Sequence, residues 1–415
     1  MRIQANSWFM FWLGVVWIVA IPVKASDTPA MEGNRPQLHR LPSASCGECH
    51  KEIYEQWQGS IHAKSTALTD PIHGAVYQME AGDPTQEGVT HKATGSFPVC
   101  LQCHAPNAAR DKTTKLDADP VYAEGVNCVT CHTMTAFKGI QGEDGKMRLG
   151  AASYDFSTDH LQGPEGALNG SQPVPAPGGG PEPKVNTFPH QANPMLFKGS
   201  DLCLGCHQMM MNPQKVAVCH IGDQLLGKTG PAPTCQSCHM PVVNGVTNHE
   251  IAGGHSPDRI RKSVAMTIAV KPEGGQMQTV VTLKNTLLHT MPSNAPFRNM
   301  VVKVTARNDK GEVIWSNFKE NPGQEDPQSF LILKLVDDEG KPVMPPKATK
   351  IAADTRLQPG EKRDLTYVIP ASGVKSVRAE LFYNLITKPM VEKMGDKLPP
   401  ELKTPALVGR AEAML

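Results

Sequence analysis

The sequence predicts two unlike parts in one chain: short helices and coil with little sheet over residues 26–261, then an all-β sandwich of immunoglobulin-like type over 262–386. Three observations predict this. The pattern Cys-x-x-Cys-His occurs five times between Cys46 and His239. A Gly- and Pro-rich stretch, 163–183, interrupts that run and can hold neither a helix nor a central strand. From about Ser263 onward, short alternations of apolar and polar residues replace the cysteine motifs, with turn clusters between them.

The five motifs are Cys46, Cys49 and His50; Cys100, Cys103 and His104; Cys128, Cys131 and His132; Cys203, Cys206 and His207; and Cys235, Cys238 and His239. Cys-x-x-Cys-His is the attachment signature of c-type haem. Two thiols at this spacing form thioethers to the two vinyl groups of one porphyrin, and the adjacent imidazole reaches the iron as proximal ligand. At these residue frequencies chance gives roughly 0.01 copies, so five copies imply five covalently bound haems. Zinc ribbons also pair Cys-x-x-Cys units, but they do not need a histidine after every second cysteine. A disulfide framework does not need one either. Cys219 alone falls outside the motifs. Val216 stands where a partner thiol for it would be, so Cys219 reads as a packed or free thiol, or as a bridge between two chains.

With 415 residues the chain is long enough for two or three domains, and its net charge of +1 offers nothing to nucleic acid or an anionic surface. Aromatic residues make up only 5%, thin for a core of this size unless porphyrins supply apolar filling. Arg2, the apolar run Trp8 to Pro22 and Val23-Lys24-Ala25 read as a signal peptide over 1–25. Export to the periplasm or beyond agrees with covalent haem attachment, which is extracytoplasmic in bacteria.

Residues 26–45 are a polar lead-in. After the first motif, Ile53, Trp57 and Ile61 recur every four residues and predict a helix from Lys51, with His62 at its end. Residues 70–98 read as loop and carry His73 and His91. In the second part about seven short strands over some 120 residues predict the sandwich: 263–270, 278–285, 300–308, 313–316, 330–336, 364–369 and 376–383. It contains no cysteine, so its core alone must hold it. Residues 387–415 read as a Pro-rich tail with weak helical character that packs back on the body.

Ten histidines remain beyond the motifs: His39, His62, His73, His91, His160, His190, His220, His249, His255 and His289. Five irons need five distal ligands, so histidine on both faces of every haem is affordable. Residues 46–255 resemble the cytochrome c-554 group of multihaem cytochromes, related to hydroxylamine oxidoreductase. The likeness lies in Cys46-Gly-Glu-Cys-His followed by Trp57 and Ser60-Ile-His62-Ala63. It continues in Glu124-Gly-Val-Asn-Cys128 and in Cys235-Gln-Ser-Cys-His-Met-Pro241 followed by His249. The resemblance implies His62, His190 and His249 as distal ligands, with the Trp…Ser-x-His histidine serving a haem other than its neighbour. Related proteins with an appended β-domain carry a ligand-bearing turn after the second strand. Leu288-His289-Thr290-Met291-Pro292-Ser293 corresponds to it, with departures at its Gly and Thr positions, and makes His289 a ligand donated by the sandwich. The fifth place stays open among His220, His91, His255 and His73, and His220 is carried as the fifth candidate. His39 and His160 are expected to do other work, and Met209-Met210-Met211 to pack.

These features point to an exported electron carrier with mostly bis-histidine haems, passing electrons to redox partner proteins. No Cys-x-x-Cys-Lys variant marks a catalytic haem. Two alternatives stand beside it: an enzyme that oxidises or reduces a small nitrogen or sulfur compound at one open iron, and a subunit of an extracellular conductive filament. Association with a membrane, with other cytochromes or with a second copy is left open by the sequence.

Overall fold

The computed structural model describes residues 31–32, 35–165, 189–226 and 233–415. The expected signal peptide and residues 166–183 of the Gly/Pro-rich stretch lie outside them. In the first part each motif closes one helical turn, and the turns are Ser43–Gly47 (α1), Leu101–His104 (α4), Cys128–His132 (α5), Asp201–His207 (α6) and Cys235–His239 (α7). The cause is local. Residues at i, i+3 and i+4 share one helix face, so a turn presents both thiols and the imidazole to the same side. The His50 amide donates to the Cys46 carbonyl at 2.9 Å, and His104 to Cys100 at 3.0 Å. Helices this short are unstable alone and depend on what they pack against.

The helix expected from Lys51 spans Lys51–Gly59 (α2), with Trp57 buried and its indole N–H donating to the Val126 carbonyl at 2.8 Å. One expectation fails here. Residues 70–98 are not all loop, because Pro71–Glu80 form a helix (α3). Asp70 caps it by accepting from the Ile72 and His73 amides at 2.8 and 3.1 Å, and Pro71 stands in the first turn, where its missing N–H costs nothing. Sheet in this part is confined to two-stranded pieces among the described residues. One is the hairpin Met209–Met211 (β1) and Ala217–His220 (β2).

The second part is sheet-rich. Its strands are Val264–Glu273 (β3), Gln276–Asn285 (β4), Asn299–Arg307 (β5), Val313–Ser316 (β6), Phe330–Val336 (β7), Lys350–Asp354 (β8), Lys362–Pro370 (β9), Ser376–Asn384 (β10) and Ala406–Met414 (β11). They form a three-stranded sheet, β3-β4-β9, and a six-stranded sheet, β8-β7-β5-β10-β11 with β6 also on β5, all antiparallel. Along β4 every second residue from Met277 to Asn285 is buried, as one covered sheet face requires. Val281, Leu283 and Leu365 from the first sheet meet Met300, Val302, Val304 and Leu381 from the second in one core. Truncating Leu283 to alanine there costs about 2–5 kcal/mol.

The tail differs from expectation. Residues 388–403 do contain short helices, but Ala406–Met414 is an edge strand paired with β10 from Ser376↔Met414 to Tyr383↔Ala406. The alternation of Val408, Arg410 and Glu412 is too polar to announce a strand. Its cross-strand ion pairs, Arg410–Glu380 at 2.6 Å and Arg378–Glu412 at 2.9 Å, appear only once the neighbour is known.

The two parts are joined by packing. Val216 and Val218 of the β1–β2 hairpin meet Leu333, Leu335 and Ala348, with Met210 and Cys219 alongside. Asn212 Nδ2 donates to the Pro345 and Ala348 carbonyls at 2.9 and 2.6 Å. Met210 of the methionine run therefore packs here, and Cys219 sits half-buried in the same seam without a disulfide.

Candidate functional site

The five motifs converge. The thiol of Cys46 faces that of Cys128, Cys203 faces Cys235, and Cys206 faces Cys103. Every motif is thus within a thiol contact of another motif, and the fourth touches both the second and the fifth. Among the described residues no three His, Cys, Asp or Glu side chains gather as a bare-ion site. The histidines instead come together in pairs.

Three of the pairs share one ring separation, with the planes 54° apart in the first and 24° and 23° apart in the other two. His62 and His207 have ring centroids 6.1 Å apart, His132 and His249 6.4 Å, and His239 and His289 6.4 Å. An iron held in line between two imidazole nitrogens at about 2 Å each, with ring centres roughly 1.1 Å behind them, sets centroids about 6.3 Å apart. Ordinary aromatic packing also reaches such distances, so the ring nitrogens must decide. His132 Nδ1 lies 2.7 Å from the Gln162 carbonyl, His239 Nδ1 2.8 Å from Ala252, His249 Nδ1 2.8 Å from Thr247 and His289 Nδ1 3.0 Å from Thr290. A carbonyl can only accept, so Nδ1 carries the hydrogen and Nε2 keeps its lone pair free for a metal. Burial also holds the rings neutral, pushing His62 and His132 down to about 4 and His207 to about 3. Neutral imidazole is the ligating form.

His104 is different. Its Nδ1 is 2.9 Å from the Ser65 carbonyl, but its ring stacks on His73 at a centroid distance of 3.8 Å and 10° between planes. That leaves no room for an iron between them. His73 Nε2 is buried without a hydrogen bond. His50 is exposed, and its charge and that of His190 both reach His132. His190 sits on an exposed strand paired with Leu161–Gly163.

His220 is placed differently. Its Nδ1 lies 2.9 Å from Asp223, and its Nε2 lies 3.1 Å from Arg356, a buried guanidinium itself paired with Asp354 at 2.7 Å. Both ring nitrogens are committed to a polar network at the seam between the two parts. That sets His220 apart from the paired histidines. His91 is engaged with Thr94, His39 with Asp111 at 2.8 Å, and His160 with Asp159 and Gln191 at 2.5 Å each.

The run Glu124 to Asn127 organises the first, third and fourth motifs. Glu124 accepts from the Ser43 amide at the start of α1 at 3.0 Å and from the Ser43 hydroxyl at 2.9 Å. The Val126 amide donates to the His62 carbonyl at 3.0 Å. Asn127 caps α5 by accepting from the Thr130 amide at 3.0 Å. Gly125 has φ +68°, and a Cβ there would lie 2.3 Å from the His62 carbonyl oxygen. Gly125→Ala is therefore expected to cost about 2–5 kcal/mol, from positive-φ strain and overpacking together, and to displace His62. Denaturant titration measures the loss, and a changed low-spin signal for one haem would report the displacement.

The sandwich positions His289 with equal care. Asn285, fully buried at the end of β4, donates through Nδ2 to the His289 and Gln358 carbonyls, both at 2.9 Å. No sequence signal marked Asn285, nor the carbonyls that orient the other rings, because a carbonyl acceptor is the same at every residue.

Residues 45–133 match the family described as cytochrome c554 and c-prime. The crystal structure of a penta-heme cytochrome c552 from Thermochromatium tepidum is similar to this chain at 46% sequence identity, with a TM-score of 0.85, over 91% of this chain and 100% of that one. A comparison with curated proteins finds none that matches.

Proposed function

This chain belongs to the penta-haem c-type cytochromes, and we propose that it is an exported carrier that moves electrons along five close-packed haems, most of them held by histidine on both faces. The observation that carries the reading is the set of three histidine pairs at 6.1–6.4 Å. Each haem supplies one-electron chemistry at its iron. The chain supplies thioether anchors at the ten motif cysteines and proximal ligands at His50, His104, His132, His207 and His239. His62, His249 and His289 complete the irons of His207, His132 and His239, and His190 is assigned to His50. In the first of these pairs the Trp…Ser-x-His histidine serves the fourth motif, not the adjacent first one. Without methionine ligands the potentials are low.

The sandwich is read as immunoglobulin-like. Its order, first-second-seventh strand in one sheet against last-eighth-third in the other, supports this. It acts as ligand donor through His289. The division at 261/262 and a periplasmic or extracellular location, with redox proteins as partners, belong to the same reading. No helix among the described residues is long and apolar enough to cross a membrane.

One observation favours the second reading, an enzyme acting on a small nitrogen or sulfur compound. The 3.8 Å stack of His73 on His104 leaves that iron without a distal histidine in the geometry of the other pairs. Electron paramagnetic resonance of the oxidised protein, with carbon monoxide added after reduction, tests both. A pure carrier gives five low-spin irons and no carbon monoxide shift. A high-spin signal and a carbon monoxide shift equal to one haem, both unchanged in His73→Ala, would support an open iron at His104, whereas a shift that doubles in His73→Ala would make His73 an iron ligand.

A further inference from the structure

At the seam between the haem part and the sandwich lies a cradle of hydrogen-bond donors with no acid in it. Arg298, just before β5, is half-buried, yet no carboxylate among the described residues pairs with it. Its only side-chain hydrogen bond among the described residues is a long one, Nη1 to the Ser293 carbonyl at 3.4 Å. The contrast with Arg356 a short way off is informative, since that guanidinium is fully paired with Asp354. Arg298's charge reaches His207, His255, Cys219 and Tyr383. Tyr383 is a buried residue of β10. Both groups close on the backbone at Gly254: a Cβ there would stand 2.7 Å from the Tyr383 hydroxyl and 2.8 Å from Arg298 Nη1. The space beside them is therefore kept clear by a glycine.

A half-buried guanidinium without an anion is costly, and chains that keep one have a partner for it. Arg298 with a Tyr hydroxyl beside it suits a carboxylate, which takes the guanidinium fork and one O–H donor together. We propose that Arg298 and Tyr383 of the sandwich bind a propionate carboxylate of one haem in the space that Gly254 leaves clear, two residues from the Ala252 carbonyl that holds His239 Nδ1 at 2.8 Å. This rests on the five-haem reading above. It gives the sandwich a second role besides donating His289, which is to set the potential of that haem. A fixed positive charge beside a haem disfavours the more positive, oxidised iron, so it raises the potential.

The test is spectroelectrochemical titration of the full holoprotein, with haem counted per chain by pyridine haemochrome. Arg298→Gln is expected to keep five haems and move one midpoint to lower potential, leaving four in place. Arg298→Lys is expected to restore most of the shift, and Tyr383→Phe to produce a smaller shift of the same sign. Five haems with every midpoint unmoved in Arg298→Gln would overturn the proposal. If that variant does not accumulate, Tyr383→Phe decides by the same criterion. A wild-type midpoint that responds to added nitrite or sulfate at constant ionic strength, with the response lost in Arg298→Gln, would show a free anion in the cradle and also overturn it. Fewer than five haems in the wild type would instead defeat the underlying reading.

Discussion

His289→Met is expected to raise the midpoint potential of a single haem, on the order of 0.1 V, within the roughly 0.8 V that axial ligation spans. The reason is specific to this ring. His289 faces His239 at 6.4 Å with the planes 23° apart, and Asn285 clamps its carbonyl. A thioether at the same place is a weaker donor to oxidised iron. The visible spectrum should gain a methionine–iron band of about one haem's intensity. His289→Gly removes the ligand without replacing it, and there one haem should turn high-spin and bind carbon monoxide after reduction. A variant with all five irons low-spin and all midpoints unchanged would show that His289 ligates nothing, and the sandwich would lose its assigned role as donor.

The second large effect is expected at the fourth motif. Cys203→Ser with Cys206→Ser should lower the haem count from five to four and cut accumulation several-fold, since a loss of only 1–2 kcal/mol already changes abundance that much. This motif has more neighbours than the others. Cys203 faces Cys235, Cys206 faces Cys103, and Leu204 and Gly205 are buried, with the Tyr154 hydroxyl accepting from the Gly205 amide at 2.8 Å. An empty space there would border two other haem sites, the second and the fifth. The comparison is Cys46→Ser with Cys49→Ser, at a motif with an exposed second cysteine. Haem per chain from intact-protein mass and the soluble yield measure both. Equal yields for the two double variants would contradict a central place for the fourth motif.

Some of the molecule was legible before any coordinates. Each Cys-x-x-Cys-His announces its own helical turn, because all three reactive side chains lie within one turn and need nothing distant to be recognised. The strands of the sandwich were legible for a similar reason. Alternation along Gln276–Asn285 or Ser376–Asn384 is a local record of one covered face. The edge strand Ala406–Met414 escaped, since an exposed edge needs no apolar alternation, and its stabilising charges sit on another strand. The helix Pro71–Glu80 escaped because its Asp70 cap signal was outweighed by the Gly, Asp and Pro that follow it.

Distal ligation divides along the same line. That the chain has more histidines than irons is a count, and the number of haems follows from spacing alone. Which histidine meets which motif is a matter of long-range packing. His62 pairs with His207 and His249 with His132, far apart in the chain, and no residue near either announces it. His220 shows the converse. Beside Cys219 it reads as a ligand, and only the fold reveals that Asp223 and Arg356 already occupy both its nitrogens. By itself, then, the sequence determined the cofactor, its number and the order of a short-helix part followed by a sheet-rich part, because covalent attachment motifs and strand alternation are short-range and repeat. The tertiary structure decided which histidine rings face each other, the clamp on the His289 carbonyl and the unpaired Arg298 at the seam, because these depend on atoms brought together from segments tens to hundreds of residues apart.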